Sequence, residues 1–302
     1  MSHLIVGPGA MGRLLALRLA ERHPVTLFGR RSLSHRQTLT TPEGEHHHRS
    51  LEYLTPDSLD ELDTSRLTAV HLVTKAYSAA AALSTVAPHL PSDTPLVLWQ
   101  NGFDVQPRLT RQRQGPTLCA TTTEGAYSNG DNSTVHAGHG RTWIGHLDGL
   151  HPELAAALAD ALTGAGLPAQ AVDNIRIRLW HKLAVNAAIN PLVARFRIPN
   201  GQLRDPALRP MVDAVIEEVE AIMAAAAIPP PPQGFPAMVW DVVAATADNR
   251  ASMLQDILAD RPTEHDAILM PLLHVARENG LEAPKLAALH HQLEARQRPG
   301  RA

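Results

Sequence analysis

The chain has 302 residues, a formal charge of −3, 44% hydrophobic and 19% charged residues, a balance that suits a globular protein of one large or two ordinary domains. It gives no electrostatic reason to expect a nucleic acid or an anionic membrane as partner. One cysteine, Cys119, excludes an internal disulfide, and its setting in TLCATT reads as a small buried hydrophobe.

The first residues, MSHLIVGPGAMG, lack the basic start and apolar run of a secretory leader. The longest uncharged run, 221–240, contains prolines at 229–232 and 236 that would break a membrane helix, so no membrane span is expected. Cytoplasm is the expected location.

In chain order, HLIVG (3–7) predicts a buried strand and MGRLLALRLAERH (11–23) a helix. Between them Gly7, Pro8, Gly9, Ala10, Met11 and Gly12 fit G-x-G-x-x-G, following a strand and opening a helix. Such glycines let the backbone turn tightly and approach a pyrophosphate, which the helix N-terminus attracts. A glycine turn without a ligand is the plainer alternative. PVTLFG (24–29) predicts the next strand. At its end, where an NAD site usually has an acid, stand Arg30 and Arg31. Arginines there suit a 2′-phosphate and favour NADP(H), unless both are solvated surface charges. His46, His47 and His48 look like a metal tract. In an extended segment only alternate residues share a face, so a solvated strand or loop is expected, and no metal.

AVHLVT (69–74) and PLVLWQ (95–100) predict strands around an alanine-rich helix at 78–89. TLCATT (117–122), STVHAG (133–138) and RTWIGH (141–146) follow, the last two reading as a hairpin. Alternating strands and helices imply a mainly parallel sheet. After Gly164 the pattern changes. LWHKLAVNAAI, LRPMVDAVIEEVEAIMAAAA, AMVWDVVAATADNRASMLQDILA, EHDAILMPLLHVARENG and KLAALHHQLEARQ carry helix-period apolar residues. The expected architecture is an α/β Rossmann-type dinucleotide-binding domain over 1–172 and an all-α domain over 173–302. The latter would bind substrate and carry catalysis.

Of 27 Lys plus Arg only three are lysines: Lys75, Lys182 and Lys285. Each is a candidate for a position where arginine does not substitute. Lys182 is followed by Asn186 and Asn190 at steps of four. Each step advances about 400°, so the three share one helix face. An ammonium and two amides on an otherwise apolar helix suggest a ligand-facing stripe. A lysine tuned by burial can donate a proton, whereas arginine holds its proton too tightly. An exposed lysine with two satisfied asparagines remains the alternative. Pro191, next in the chain, is expected to kink the helix.

These residues together resemble the ketopantoate reductase (2-dehydropantoate 2-reductase) family. The resemblance rests on GPGAMG (7–12), VTKAY (73–77), QNG (100–102), TTTEGA (121–126), RLWHKLAVNAAINPL (178–192) and PNGQLR (199–204). NRASMLQDI (249–257) and PTEHD (262–266) complete it. It implies NADPH-dependent reduction of 2-dehydropantoate to (R)-pantoate in pantothenate biosynthesis.

By the same resemblance Lys182 is the catalytic acid and a substrate contact. Asn186, Asn190 and Asn200 hold the substrate's polar groups. Ser252 holds its carboxylate, near Asn249. Lys75, Asn101 and Gly125 meet the cofactor, with Asn101 also near the substrate; they join Gly7, Pro8, Gly9, Ala10, Met11, Gly12 and Arg30, which the glycine motif and the end of the second strand already point to. Glu264 touches the cofactor or orders Lys182. Glu124 departs from the family pattern and could alter polarity near the nicotinamide. A reductase of another branched 2-oxo acid and a non-catalytic NADPH sensor are the competing readings. The implied partner is a small-molecule 2-oxo acid, and the assembly a monomer or homodimer.

Overall fold

A computed structural model describes residues 1–297. The chain forms two compact units. The first joins Met1–Gln100 to Val105–Arg176; the second joins Asn101–Asp104 to the chain from Ile177 onward.

The first unit is α/β. Its strands are β1 (Ser2–Val6), β2 (Val25–Phe28), β3 (Arg36–Thr40), β4 (His46–Ser50), β5 (Glu52–Leu54), β6 (Leu67–Leu72), β7 (Leu96–Leu98), β8 (Thr117–Thr122), β9 (Gly125–Ser128), β10 (Ser133–Gly138), β11 (Thr142–Gly145) and β12 (Ala169–Ala171). Helices α1 (Ala10–Leu19), α2 (Ala76–Val86), α3 (Val105–Gln112) and α4 (Pro152–Gly164) connect them.

Eight strands form the main sheet in the order β12-β11-β8-β7-β6-β1-β2-β5. From β5 to β8 neighbours run parallel; β11 is antiparallel to β8. The order reverses between β1 and β6, and ligands bind such sheets beyond the C-terminal strand ends at that point. The glycine turn leaves β1 there and Lys75 follows β6.

The hairpin expected from STVHAG and RTWIGH does not form. β10 pairs with β9 and β3 in a separate four-stranded sheet, and β11 pairs with β8 and β12. Composition explains the split. Apolar β8, buried along most of its length, takes the apolar Trp143-Ile144 strand as neighbour, while the more polar β10 goes to the small sheet. Gly140 permits the crossover, since a Cβ there would run into the backbone of Thr123. The histidine tract forms β4, whose His46 and His48 hydrogen-bond Thr40 and Thr38 across the strand pair at 3.1 and 3.0 Å.

Two histidines lie inside the main sheet. Trp99 Nε1 donates to His71 Nδ1 at 3.1 Å, so the His71 proton is on Nε2 and points to His3 Nδ1, also 3.1 Å away. Burial pushes the His3 pKa down to about 4 and that of His71 well below its usual value. Both rings are therefore neutral near pH 7.

The second unit is helical: α5 (Ile175–Phe196, whose first two residues belong to the first unit), α6 (Arg209–Ala225), α7 (Phe235–Ala245), α8 (Ser252–Leu258), α9 (His265–Glu278) and α10 (Pro284–Gln297). α5 runs through Pro191 and buries Leu179, Leu183, Ala187, Leu192 and Val193 around its circumference, the mark of a central helix. α6 buries Val212, Val215, Ile216, Val219, Ile222 and Met223, a spacing of three and four that faces one side inward. Glu218 on α6 accepts the backbone N–H groups of Lys285 and Leu286 at 2.8 and 2.9 Å, capping α10. AMVWDVVAATADNRASMLQDILA is two helices. α7 ends at Ala245 and α8 begins at Ser252, because residues 246–249 turn to bind a neighbouring loop described below. Among the described residues no helix is long and apolar enough to cross a membrane.

Candidate active site

In the first unit the glycine turn is shaped by missing atoms. A Cβ on Gly12 would run into the carbonyl oxygen of Gly7, so only glycine lets α1 start this close to β1. Gly9, by contrast, faces open space, with nothing within 4 Å of an added Cβ. It precedes α1, and no side chain caps the first-turn N–H groups. Pro8, Ala10 and Met11 are partly buried around it. A pyrophosphate fits this cradle: donors are free and the approach is clear.

Beside the turn lies a cavity of about 650 Å³, lined by Pro8, Gly9, Arg13, Arg30, Arg31 and Asp131 among others. Arg30 is exposed there. Arg31 makes a bidentate pair with Asp131 at 2.6 and 2.8 Å, and Arg13, buried in α1, donates to the Gly130 carbonyl at 3.0 Å. Three guanidiniums against one carboxylate leave an excess of positive charge. Sequence reasoning singled out Arg30 and Arg31 but missed Arg13 and Asp131. Arg13 had a signal, an arginine directly after the third glycine and just before the apolar run LLAL at 14–17; Asp131, far along the chain, had none.

Lys75 sits at the N-cap of α2, partly buried, at the C-terminal end of β6. Gly125 opens β9 opposite Gly138. Its neighbour Glu124 turns inward: Oε2 lies 2.7 Å from His136 Nε2, and Arg18 donates to His136 Nδ1 at 3.3 Å. The Glu124 side chain is 1% exposed.

The second unit gathers the remaining residues. Asn101 Nδ2 donates to Glu264 Oε2 at 3.2 Å. Gly102 (φ +87) lies so close to α9 that a Cβ would strike the Ala267 carbonyl, and Phe103 N–H donates to that carbonyl at 3.2 Å. Phe103 also packs on Trp180, ring centroids 5.0 Å apart, two residues before Lys182. Asn101-Gly102-Phe103 thus ties the start of α9 to the lysine-bearing stretch of α5.

Lys182 is partly buried. Desolvation lowers its pKa from the usual value to about 8, and the Glu264 carboxylate pulls back toward the charged form. Asn186 is partly buried and Asn190 buried, four and eight residues along the same helix. Asn200 Nδ2 donates to Thr246 Oγ1 at 2.9 Å. Its backbone N–H donates to the Asn249 carbonyl at 3.0 Å, and that of Gly201 to the Ala247 carbonyl at 2.8 Å. This docking of the PNG turn is what separates α7 from α8. Asn200 Oδ1 is buried without a hydrogen bond, an unmet acceptor. The side chains of Asn249 and Ser252 are exposed, and Ser252 is the first residue of α8 rather than part of a continuing helix.

The arrangement offers an anion-binding turn and a positive cavity in one unit. In the other it offers a tunable ammonium flanked by amides and a carboxylate.

Residues 3–149 match the family model "Ketopantoate reductase PanE/ApbA", and residues 174–297 match "Ketopantoate reductase PanE/ApbA C terminal". The chain is 34% identical over 296 residues to the 2-dehydropantoate 2-reductase of Vibrio cholerae, covering 97% of each protein. It is 37% identical over 249 residues to that of Shigella flexneri, covering 82% of this chain and 79% of the relative. In fold it is similar to a crystal structure of 2-dehydropantoate 2-reductase from Methylococcus capsulatus, with TM-score 0.86, 24% identity and coverage of 100% and 99%. It is equally similar to D-mandelate dehydrogenase in a ternary structure with NADH and anilino(oxo)acetate, with TM-score 0.87, 22% identity and coverage of 98% of both chains. With a Rossmann-type domain followed by a helical C-terminal domain, and with relatives of this identity along nearly its whole length, the chain belongs to the ketopantoate reductase family of oxidoreductases.

Proposed function

We propose that this chain reduces 2-dehydropantoate (ketopantoate) to (R)-pantoate with NADPH, and that Lys182 is the proton donor. The observation that carries the reading is Lys182 itself: a lysine with its pKa lowered to about 8, facing the charge of Glu264, on one helix face with Asn186 and Asn190. The names of the relatives supply the substrate.

Bound at the glycine turn, the dinucleotide supplies a hydride to the C2 carbonyl carbon. Gly7, Pro8, Gly9, Ala10, Met11 and Gly12 hold its pyrophosphate. Lys75, Gly125 and Asn101 hold it further along. Arg30 meets the 2′-phosphate, and the excess positive charge of the cavity is the reason for preferring NADPH over NADH.

As negative charge grows on the carbonyl oxygen, the Lys182 ammonium stabilises it and then transfers a proton. Lys182 is left neutral and reloads from water. Glu264 favours the charged form of Lys182 before transfer and fixes Asn101. Ser252 and the backbone near Asn249 bind the substrate carboxylate. Asn200, with its unmet Oδ1, accepts from a substrate hydroxyl, and Asn186 and Asn190 complete the polar wall. A solved neighbour is described as a dimeric ketopantoate reductase from Staphylococcus aureus. A cytoplasmic homodimer, or a monomer, is the proposed form here.

The test is the loss of reduced-nicotinamide absorbance with ketopantoate, against a panel of branched and aryl 2-oxo acids, with NADPH and NADH in parallel. Fastest turnover is expected with ketopantoate and NADPH. Turnover with another 2-oxo acid but not ketopantoate moves the activity to that substrate. Dinucleotide binding with no oxidation of any of them replaces the enzyme by a sensor.

A further inference from the structure

We propose that His265, Asp266 and His290 form a binding site for one divalent transition-metal ion, of which zinc fits the donors best. Asp266 Oδ1 lies 3.4 Å from His265 Nε2 and 2.7 Å from His290 Nε2, and all three atoms fall within 4.8 Å of one another. Ligand atoms around a tetrahedral zinc ion with bonds of about 2.0–2.1 Å stand roughly 3.4 Å apart. The first distance already matches. The second is a hydrogen bond that needs to open by only a fraction of an ångström.

The independent sign is His265. Its side chain is 5% exposed, and Nε2 is shut off from water yet makes no hydrogen bond. A buried ring nitrogen left in this way is costly unless something takes it. It faces the carboxylate that His290 also faces. Access is open from the other side, because Asp266 is 70% and His290 17% exposed.

The outer ring nitrogen decides the chemistry. A histidine bound to metal through Nε2 carries its proton on Nδ1 and donates it to a neighbour. His265 Nδ1 lies 3.1 Å from the Thr263 hydroxyl, which can accept its proton once the Gln297 amide, whose nitrogen stands 3.3 Å from Nδ1 and donates to Thr263, turns its oxygen toward the pair. Glu294, one turn beyond His290 on α10, lies within electrostatic reach of His265. With Asp266 it balances a dication.

A second cluster of suitable residues, among the described residues, is set apart by a fixed cation. Glu124, His136 and His139 also come within 4.8 Å. There Arg18 donates to His136 Nδ1 at 3.3 Å, and a guanidinium can only donate. The His136 outer nitrogen is already an acceptor, and a fixed cation stands beside it. Two imidazoles and one carboxylate favour zinc-like ions over magnesium or calcium, which prefer oxygen.

The experiment titrates the full-length, metal-stripped protein with Co²⁺, reading visible absorption, then displaces it with Zn²⁺ and measures thermal unfolding. The wild type should bind one equivalent with a tetrahedral-type spectrum, lose the spectrum to Zn²⁺ but not to Mg²⁺, and melt higher with Zn²⁺. His290→Ala and Asp266→Asn, both at accessible positions, should weaken binding at least tenfold and abolish the shift in melting. The double variant His46→Ala/His48→Ala and the single variant His139→Ala should bind as the wild type does. Absence of a Co²⁺ spectrum, undiminished binding in His290→Ala, or loss of binding in the His46/His48 or His139 variants would each overturn the proposal.

Discussion

The turn after β1 presents almost no side chains where a ligand would approach, whereas α5 carries its polar chemistry entirely in side chains. At the turn the decisive property is absence: Gly12 brings helix and strand together and Gly9 leaves the approach clear. On α5 it is one nitrogen whose proton affinity is set by desolvation and by Glu264. The turn should therefore suffer from any added atom, and the stripe from any lost one. Binding and turnover should fail separately.

The largest effect is expected from Lys182→Ala. Turnover should fall roughly 10²–10⁴-fold, the usual weight of a general acid, while dinucleotide affinity measured by fluorescence titration holds. Lys182→Arg should also be poor, since the charge stays but the proton does not transfer. Near-normal turnover in that variant would remove the proton-donor role. Gly12→Ala tests the opposite case. Forcing a methyl group against the Gly7 carbonyl costs about 1–3 kcal/mol, so dinucleotide affinity should drop by up to about 100-fold. Arg30→Ala should raise the KM for NADPH about tenfold and leave that for NADH nearly unchanged; equal effects on both would place Arg30 away from the 2′-phosphate.

A subtler test is pH. Lys182 must be an ammonium to donate, so kcat/KM should fall as pH rises through about 8. Glu264 raises that pKa, so Glu264→Gln should move the alkaline limb to lower pH. A limb that stays in place would mean another group sets it. The smallest effect is on stability. His3 is neutral in the folded protein with a pKa near 4, against 6.5 unfolded. The unfolded chain therefore binds more protons between those values, and stability is lost as pH falls from about 6.5 to about 4. Denaturant midpoints across that range should slope downward toward acid, less steeply in His3→Asn.

Much of this plan could be read from the chain, for physical reasons that also set the limits. Strands buried on both faces, such as β1, β6 and β7, are dominated by Leu, Ile and Val despite the histidines of β1 and β6, and the helices of the second unit carry their periodicity openly. The small sheet was hidden because its strands are polar and its pairings join residues about 95 apart, as between β3 and β10. STVHAG and RTWIGH looked like a hairpin because sequence shows only who is near in the chain; competition for the β8 edge decided otherwise. The break between α7 and α8 arises from the backbone of Asn200 and Gly201, which no local propensity encodes. The amide and lysine stripe was legible because its spacing matches the helix repeat. The bond from Asn101 to Glu264, spanning 163 positions, was not.

Asn101–Asp104 sits with the second unit although the chain on both sides of it builds the first. No single cut can therefore release the helical half intact. A fragment beginning at Ile177 would keep Glu264 and Trp180 but forfeit Asn101 and Phe103, the groups they hold. Anyone dissecting this protein would need to graft those four residues back, or permute the chain, before asking what either half does alone.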